Sequence, residues 1–296
     1  MEQNTLEITE HSEVFEFASI RELVNQALKK DFGEQADMPG ISTGFKMLDN
    51  VTGGFQKGHL YTVAVKPGMG KTAFLLSVAN NLAIKNNHSV AIFSSERSNQ
   101  KITHRLIESE TGMSLEKLRQ GAMKPSERDH LQSLVSSIAK AKIFLDDTPS
   151  LSAEELEKKS RQLKRVHRVD LIIIDYLELL STSITDTDNR SEQLAKIVLA
   201  IKNIARELDM PILLFSQIGS PFNFMSKPSL EDLPEFLSEL SDALWFVHRS
   251  DLFPSGKNGN SKDVVEVIIA KHPSVAEPAV VKLTFIESIA KFADFS

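Results

Sequence analysis

The sequence predicts an α/β fold, a mostly parallel sheet flanked by helices, and three observations lead to it. From Leu60 onward, short apolar, β-branched runs alternate with longer stretches of helical periodicity. One run, Leu171–Ile174, is continuously apolar and ends in Asp175, the pattern of a strand buried on both faces. The first run passes directly into a glycine-rich turn, Lys66-Pro67-Gly68-Met69-Gly70-Lys71-Thr72, and then into a helical stretch.

Taken in order, residues 1–17 read as an acidic start. A short amphipathic helix follows, with Ser19 as N-cap, Ile20, Leu23, Val24, Ala27 and Leu28 on its apolar stripe, and Gly33 as its stop. That stripe needs burial, against the chain's own core or against another subunit. Pro39 and Gly40 open the main body, so the domain reading is residues 1–38, an acidic leader with a linker helix, and residues 39–296, the main domain. Leu60–Val65 and Val90–Ser94 read as strands, with a helix from the glycine-rich turn through Asn86. Ser126 with Asp129, and Ser152 with Glu155, have capping-box spacing at helix starts. Leu131, Leu134, Val135 and Ile138 form the apolar face of the first of these helices. Leu194, Ile197, Val198, Ile201, Ile204 and Leu208 mark another, followed by the strand Ile212–Ser216. Further strands are expected at Ala243–Val247, Val264–Ala270 and Val280–Phe285, the last two as an antiparallel pair.

Composition narrows the function. The chain has 296 residues with 41 % hydrophobic content, enough for a sizeable core. It has no cysteine, which excludes disulfides, thiolate metal sites and thiol nucleophiles. No apolar run approaches the roughly 18–20 residues needed to cross a bilayer, and no secretory signal pattern opens the chain, so a cytoplasmic protein without membrane contact is expected. The eight histidines show no metal-ligand spacing. The net charge of −6 is unevenly placed: residues 1–38 hold nine acids and three bases, and the rest of the chain carries 31 of each sign. The body is therefore neutral, which leaves room for a local nucleic-acid site.

The glycine-rich turn points to phosphate. Binding phosphates takes several backbone N–H donors converging on one point, and glycine permits that approach. Pro67, Gly68, Met69, Gly70, Lys71, Thr72 and Ala73 form the expected cradle, with Lys71 reaching the outer phosphates and Thr72 ligating magnesium. Val65 stands where the full pattern has glycine. Asp175, directly after a buried strand, is the expected second magnesium ligand. Glu96 and Glu178 both remain candidates for orienting or deprotonating the attacking water. Gln217, closing the strand Ile212–Ser216, is a candidate sensor of the terminal phosphate.

These residues together resemble the C-terminal motor domain of DnaB-type replicative DNA helicases, RecA-like P-loop ATPases. The resemblance runs from about Ser19 to the end. It rests on Gly40-Ile41-Ser42-Thr43-Gly44-Phe45, Leu48-Asp49 and Gly53-Gly54-Phe55, then Lys66–Ala73 and Phe93-Ser94-Ser95-Glu96. Asp146-Asp147-Thr148-Pro149, Ile174-Asp175-Tyr176-Leu177, Ala205-Arg206-Glu207-Leu208 and Ser216-Gln217 follow in family order. It implies a RecA-like fold, ATP and Mg2+ as cofactors, and Glu96 rather than Glu178 as the catalytic glutamate. It also implies a homo-oligomer, usually a hexameric ring, joined by the helix beginning near Ser19, with single-stranded DNA as partner. The family's N-terminal collar domain is not in this sequence.

Two departures accompany the match. The family's trans-acting Lys-Gln-Arg stretch, which reaches the neighbour's γ-phosphate, reads Ala270-Lys271-His272-Pro273 here, so Lys271 remains and the arginine is proline. The family's DNA-facing Asp-Leu-Arg-Glu-Ser-Gly loop corresponds to Leu230-Glu231-Asp232-Leu233-Pro234-Glu235, again with proline for arginine. Phe222 and Phe224 are readable either as base-stacking platforms or as residues tucked at the sheet edge. The basic run Lys158, Lys159, Arg161, Lys164, Arg165 and Arg168 reads first as a solvated helix face, and Trp245 as core. Two functions follow: an ATP-hydrolysing DNA helicase or translocase of replication type, or a degenerate paralogue that binds ATP and assembles without unwinding DNA.

Overall fold

The computed structural model describes residues 40–113, 125–181, 189–219, 226–249 and 264–295, with Ile20, Arg21 and Val24 at isolated positions. The chain divides into two compact units, Met1–Asp37 and Met38–Ser296. In the first, Ile20, Arg21 and Val24 are helical and exposed; the rest of the expected linker helix lies outside the described residues.

The second unit is built on one nine-stranded sheet. Its strands are β1 (Leu60–Val65), β2 (Val90–Ser94), β3 (Ile143–Asp146), β4 (Leu171–Asp175), β5 (Ile212–Gln217), β6 (Ala243–Arg249), β7 (Val264–Lys271), β8 (Ala279–Ile286) and β9 (Lys291–Asp294), in the order β3-β2-β4-β5-β1-β6-β7-β8-β9. The first six in that order are parallel, and β7, β8 and β9 extend the sheet antiparallel. The antiparallel part is thus three strands, one more than the sequence reading, because four-residue β9 is too short to show a period. Four-residue β3 is missed for the same reason, and as an edge strand it is only half-buried throughout.

The helices are α1 (Lys46–Thr52), α2 (Lys71–Asn80), α3 (Asn99–Thr111), α4 (Pro125–Lys140), α5 (Ala153–His167), α6 (Arg190–Glu207) and α7 (Glu235–Leu240). The helical stretch after the glycine-rich turn is α-helical only to Asn80 and continues as one π turn, Asn81–Lys85. The Ser152/Glu155 capping box forms, with both reciprocal bonds present. The expected cap at Ser126 does not start α4, which already runs from Pro125. On α4, Leu131, Leu134 and Ile138 are half-buried, whereas Val135 is exposed.

Both faces of the sheet are covered, so β1, β2 and β4 are buried at every position. Alternate residues sort into two large cores, with a smaller third cluster of Ala64, Ile218, Leu244, Phe246 and Ile268. Tyr61, Val63, Ile92, Ile173, Phe215 and Trp245 pack with Phe74, Leu75 and Val78 of α2. Leu60, Phe93, Ile172, Ile174 and Leu214 pack with Leu156 of α5 and Ile197, Val198 and Ile201 of α6. Helix α2 is buried from Thr72 to Asn80. It lies beneath β9: Phe292 N–H donates to Ser77 Oγ at 2.9 Å and its ring meets Phe74 edge-on at 5.4 Å. This burial fixes the helix that carries the glycine-rich turn.

Candidate nucleotide site

Parallel register brings the functional residues to one edge. Val65 lies opposite Gln217 of β5 and Val247 of β6, and Ser94 of β2 lies opposite Asp175 of β4. The carboxyl ends of these five strands therefore share an edge, where ligands bind in open α/β sheets. A cleft of about 310 Å³ opens there, lined by Lys66, Pro67, Gly68, Gly70, Lys71, Thr72, Glu96, Arg97, Arg105, Gln217, Arg249 and Phe285.

The turn 66–70 is held by backbone geometry that glycine supplies. Gly70 sits at the N-cap of α2 with φ +96°, and a Cβ there would come within 3.1 Å of Phe292 Cζ. Gly68 is also left-handed, at φ +79°, but a Cβ there would meet nothing within 4 Å, so conformation alone selects it. No side chain caps α2, and helix geometry leaves its first N–H groups without intrahelical acceptors. They and the helix dipole face the cleft, a setting that favours an anion. Lys66 donates from Nζ to Ser226 O at 2.9 Å and Ser226 Oγ at 3.1 Å, tying the turn to the segment beyond β5.

Lys71 is the centre of the charge network. Its Nζ lies 2.6 Å from Glu96 Oε2, 2.7 Å from Asp175 Oδ1 and 3.5 Å from the centre of the Tyr176 ring. Asp175 is almost completely buried. Burial raises its pKa, with the Lys71 charge opposing that shift, and Ser94 Oγ donates to its Oδ2 at 3.3 Å. Thr72, also buried, stands one residue beyond Lys71. A buried carboxylate and a hydroxyl are hard oxygen donors suited to Mg2+, and Asp175 Oδ1, which has the Lys71 counter-charge but no aligned hydrogen bond, has capacity for one.

Glu96 and Glu178 are separated by their contacts. Both Glu178 oxygens are used in bracing strand ends: Ser216 Oγ donates to Oε1 at 2.6 Å and Gln217 N–H to Oε2 at 3.2 Å. Burial raises the Glu178 pKa, and these bonds oppose the shift. Glu96 lies in the cleft against Lys71 and Arg97. Lys271 is not brought to this site. It pairs with Leu244 at the start of β6, on the opposite edge of the sheet, and its Nζ donates to Ser238 O at 2.7 Å and Ser241 O at 2.8 Å.

Sequence reasoning missed Arg97, Arg105, Arg249 and Phe285. The Arg249 guanidinium lies 4.2 Å from the centre of the Phe285 ring, at the cleft wall formed by β6 and β8. Position carried a signal for Arg97, next to Glu96, and for Arg249, at a strand end on the functional edge. No local motif marked Arg105 or Phe285. Phe222 and Phe224 lie outside the described residues. The basic run on α5 is largely engaged or solvated: Lys159 pairs with Asp146, Arg161 with Glu157 and Glu207, and Lys158 and Arg165 are exposed. Trp245 is fully buried. Among the described residues no histidine or acidic cluster is arranged to hold a metal by itself, and no helix is long and apolar enough to cross a membrane.

The family model of the DnaB-like helicase C-terminal domain matches residues 40–294. The chain belongs to that family. It is 32 % identical over 300 residues to the replicative DNA helicase DnaB of Geobacillus stearothermophilus, covering 99 % of this chain and 65 % of that protein. The replicative DNA helicase DnaC of Bacillus subtilis matches to the same extent. The chain thus spans just under two thirds of the length of these curated relatives. Among solved structures, the ATPase domain of G40P superposes with a TM-score of 0.86 at 29 % identity, covering 95 % of this chain and all of that one. The RadB recombinase, at 18 % identity and a TM-score of 0.53, shares the fold, so the sheet is RecA-like.

Proposed function

We propose that this chain is the ATP-hydrolysing motor domain of a replication-type DNA helicase or translocase. The observation that carries the reading is the convergence of Lys71, Thr72, Glu96 and Gln217 on one cleft, with Asp175 paired to Lys71, at the carboxyl edge of a DnaB-family sheet. Residues 39–296 form the motor, and residues 1–38 are the leader whose helix near Ser19 joins subunits into a ring.

Each residue has a distinct task. The turn 67–73 and Lys71 bind the phosphates, and Arg249 over Phe285 offers a cationic, aromatic wall for the base. Thr72 and Asp175 would hold Mg2+, which when bound neutralises phosphate charge. Glu96 takes the proton of the attacking water, and Gln217 senses the terminal phosphate. Glu178, fixed to Gln217 N–H, is a positioning residue for that sensor. Lys271 lies outside its own cleft, so any part in hydrolysis would be played in the cleft of a neighbouring subunit of the proposed homo-oligomer, a hexameric ring. Single-stranded DNA is the proposed polymer partner, and the cytoplasm the proposed location.

The test is ATP turnover with and without single-stranded DNA, for the wild-type chain and for Lys71→Ala. DNA-stimulated turnover that disappears in Lys71→Ala supports the reading. Turnover indifferent to DNA would refute the motor assignment, and equal nucleotide binding by Lys71→Ala would refute the site.

A further inference from the structure

The cleft contains a guanidinium beside the water-activating carboxylate, and the sequence around Lys271 offers none. Arg97 follows Glu96 immediately after β2. Its backbone N–H donates to Ser94 Oγ at 3.3 Å, the same hydroxyl that donates to Asp175, so one serine braces both residues. Its NH2 lies 3.3 Å from Glu96 Oε1, while its buried Nε has no hydrogen-bond partner. NH2 is thus held by Glu96, while Nε–H on the same edge of the guanidinium keeps donor capacity.

Arg105, from α3, lines the same cleft. Burial lowers its pKa, and the charge of Arg97 lowers it further. Two guanidiniums sharing a wall repel, and an anion spanning them relieves that repulsion. A triphosphate whose inner phosphates rest on the glycine-rich turn, with Lys71 reaching its outer ones, presents its terminal oxygens toward Glu96, and hence toward Arg97. The partner-supplied alternative is weak in this chain, because Lys271 is followed by His272 and Pro273 rather than an arginine. A lysine delivers a point charge and cannot form the planar two-pronged contact.

We propose that Arg97 supplies, from within the same subunit, the guanidinium contact to the terminal phosphate of the bound nucleotide. The proposal rests on the ATPase reading above and names a further residue of that site. As the water oxygen bonds to the terminal phosphorus, the bond to the leaving diphosphate oxygen breaks. The water proton passes to Glu96, and Arg97 neutralises charge on the terminal oxygens. Products are the nucleoside diphosphate and inorganic phosphate. Glu96 also holds Arg97 in place through their ion pair, so the two act as one unit.

The experiment compares wild type, Arg97→Ala, Arg97→Lys and Lys71→Ala as full chains. It measures equilibrium affinity for a fluorescent non-hydrolysable ATP analogue and for fluorescent ADP, together with turnover. Arg97→Ala is expected to lower the preference for the triphosphate about tenfold or more, the scale of one charge-assisted contact, while ADP affinity stays within about twofold. Its kcat should fall about 100-fold or more, a conservative reading of what arginine contacts contribute to phosphoryl transfer. Arg97→Lys should recover triphosphate affinity more than kcat. Mixing Arg97→Ala with Lys71→Ala chains should restore no turnover, since each would lack a residue of its own cleft. Restoration on mixing, or a triphosphate preference and kcat within about twofold of wild type, would overturn the proposal. A wild-type chain that binds no ATP would instead overturn the function on which it rests.

Discussion

Acidifying the protein from about pH 7 to about pH 5 is expected to weaken the fold through His272, by an amount that the structure allows to be worked out. The ring is buried beside Tyr61 and Trp245, with centroids at 6.0 and 6.5 Å, and its Nδ1 accepts the Ser274 N–H at 3.2 Å. Burial, and then the neighbouring His59, lower its pKa from 6.5 to about 4. Below 6.5 the unfolded chain takes up a proton that the folded chain refuses until about 4, so the stability this histidine provides is complete above that window and lost progressively as pH falls through it. At about pH 5 the gap of roughly 1.5 units between 6.5 and the working pH corresponds to a loss of about 2 kcal/mol. The assay is urea unfolding at both pH values, followed by the fluorescence of Trp245, the single tryptophan and fully buried. In His272→Asn an amide oxygen replaces Nδ1 as acceptor and nothing titrates, so its stability should fall by about 2 kcal/mol less than that of wild type over the same pH step. Equal losses in the two proteins would show that His272 is not held neutral by its surroundings.

Gly70→Ala should lose about 1–3 kcal/mol, because φ +96° is unfavourable for alanine and its methyl would press on Phe292. The same urea assay reads this, and a change below about 0.5 kcal/mol would mean that the turn relaxes freely. Glu178→Ala should cost about 1–3 kcal/mol, since it leaves Ser216 Oγ and the Gln217 N–H without their carboxylate acceptors. It should also slow ATP turnover while nucleotide affinity stays near wild type. Unchanged turnover would remove Glu178 from the path to Gln217.

Strongly patterned segments were legible from sequence almost to the residue. β1 and β2 fall where the apolar runs place them, and β4 adds only Asp175. Four of the six residues assigned to one face of α6 are buried in the core beneath it, and Leu194 and the C-cap Leu208 pack against it, partly buried. Weak or short patterns failed. β3 and β9 have four residues each, and α3 buries Ile102 and Leu106 with little else apolar to show a face. The site divided in the same way. Lys71, Thr72, Asp175 and Gln217 stood out as candidates because each sits at a strand end or a strand-to-helix turn, and the structure brings them to one edge of the sheet. The choice between Glu96 and Glu178 needed the family resemblance, since both follow a strand that ends on the functional edge.

By itself the sequence determined the α/β class, the glycine-rich strand-to-helix turn and the family, because each is written in local order: period, glycine placement and motif succession. Tertiary structure decided what depends on contacts between distant segments. It gave Glu178 to the bracing of strand ends and left Glu96 in the cleft, by the difference between two donors and an ammonium. It set Lys271 on the far edge, since β7 runs antiparallel to β6 and reverses which end of the strand faces the nucleotide site. It also gathered Arg97, Arg105 and Arg249, from three different segments, around one cleft, a grouping that no linear pattern contains.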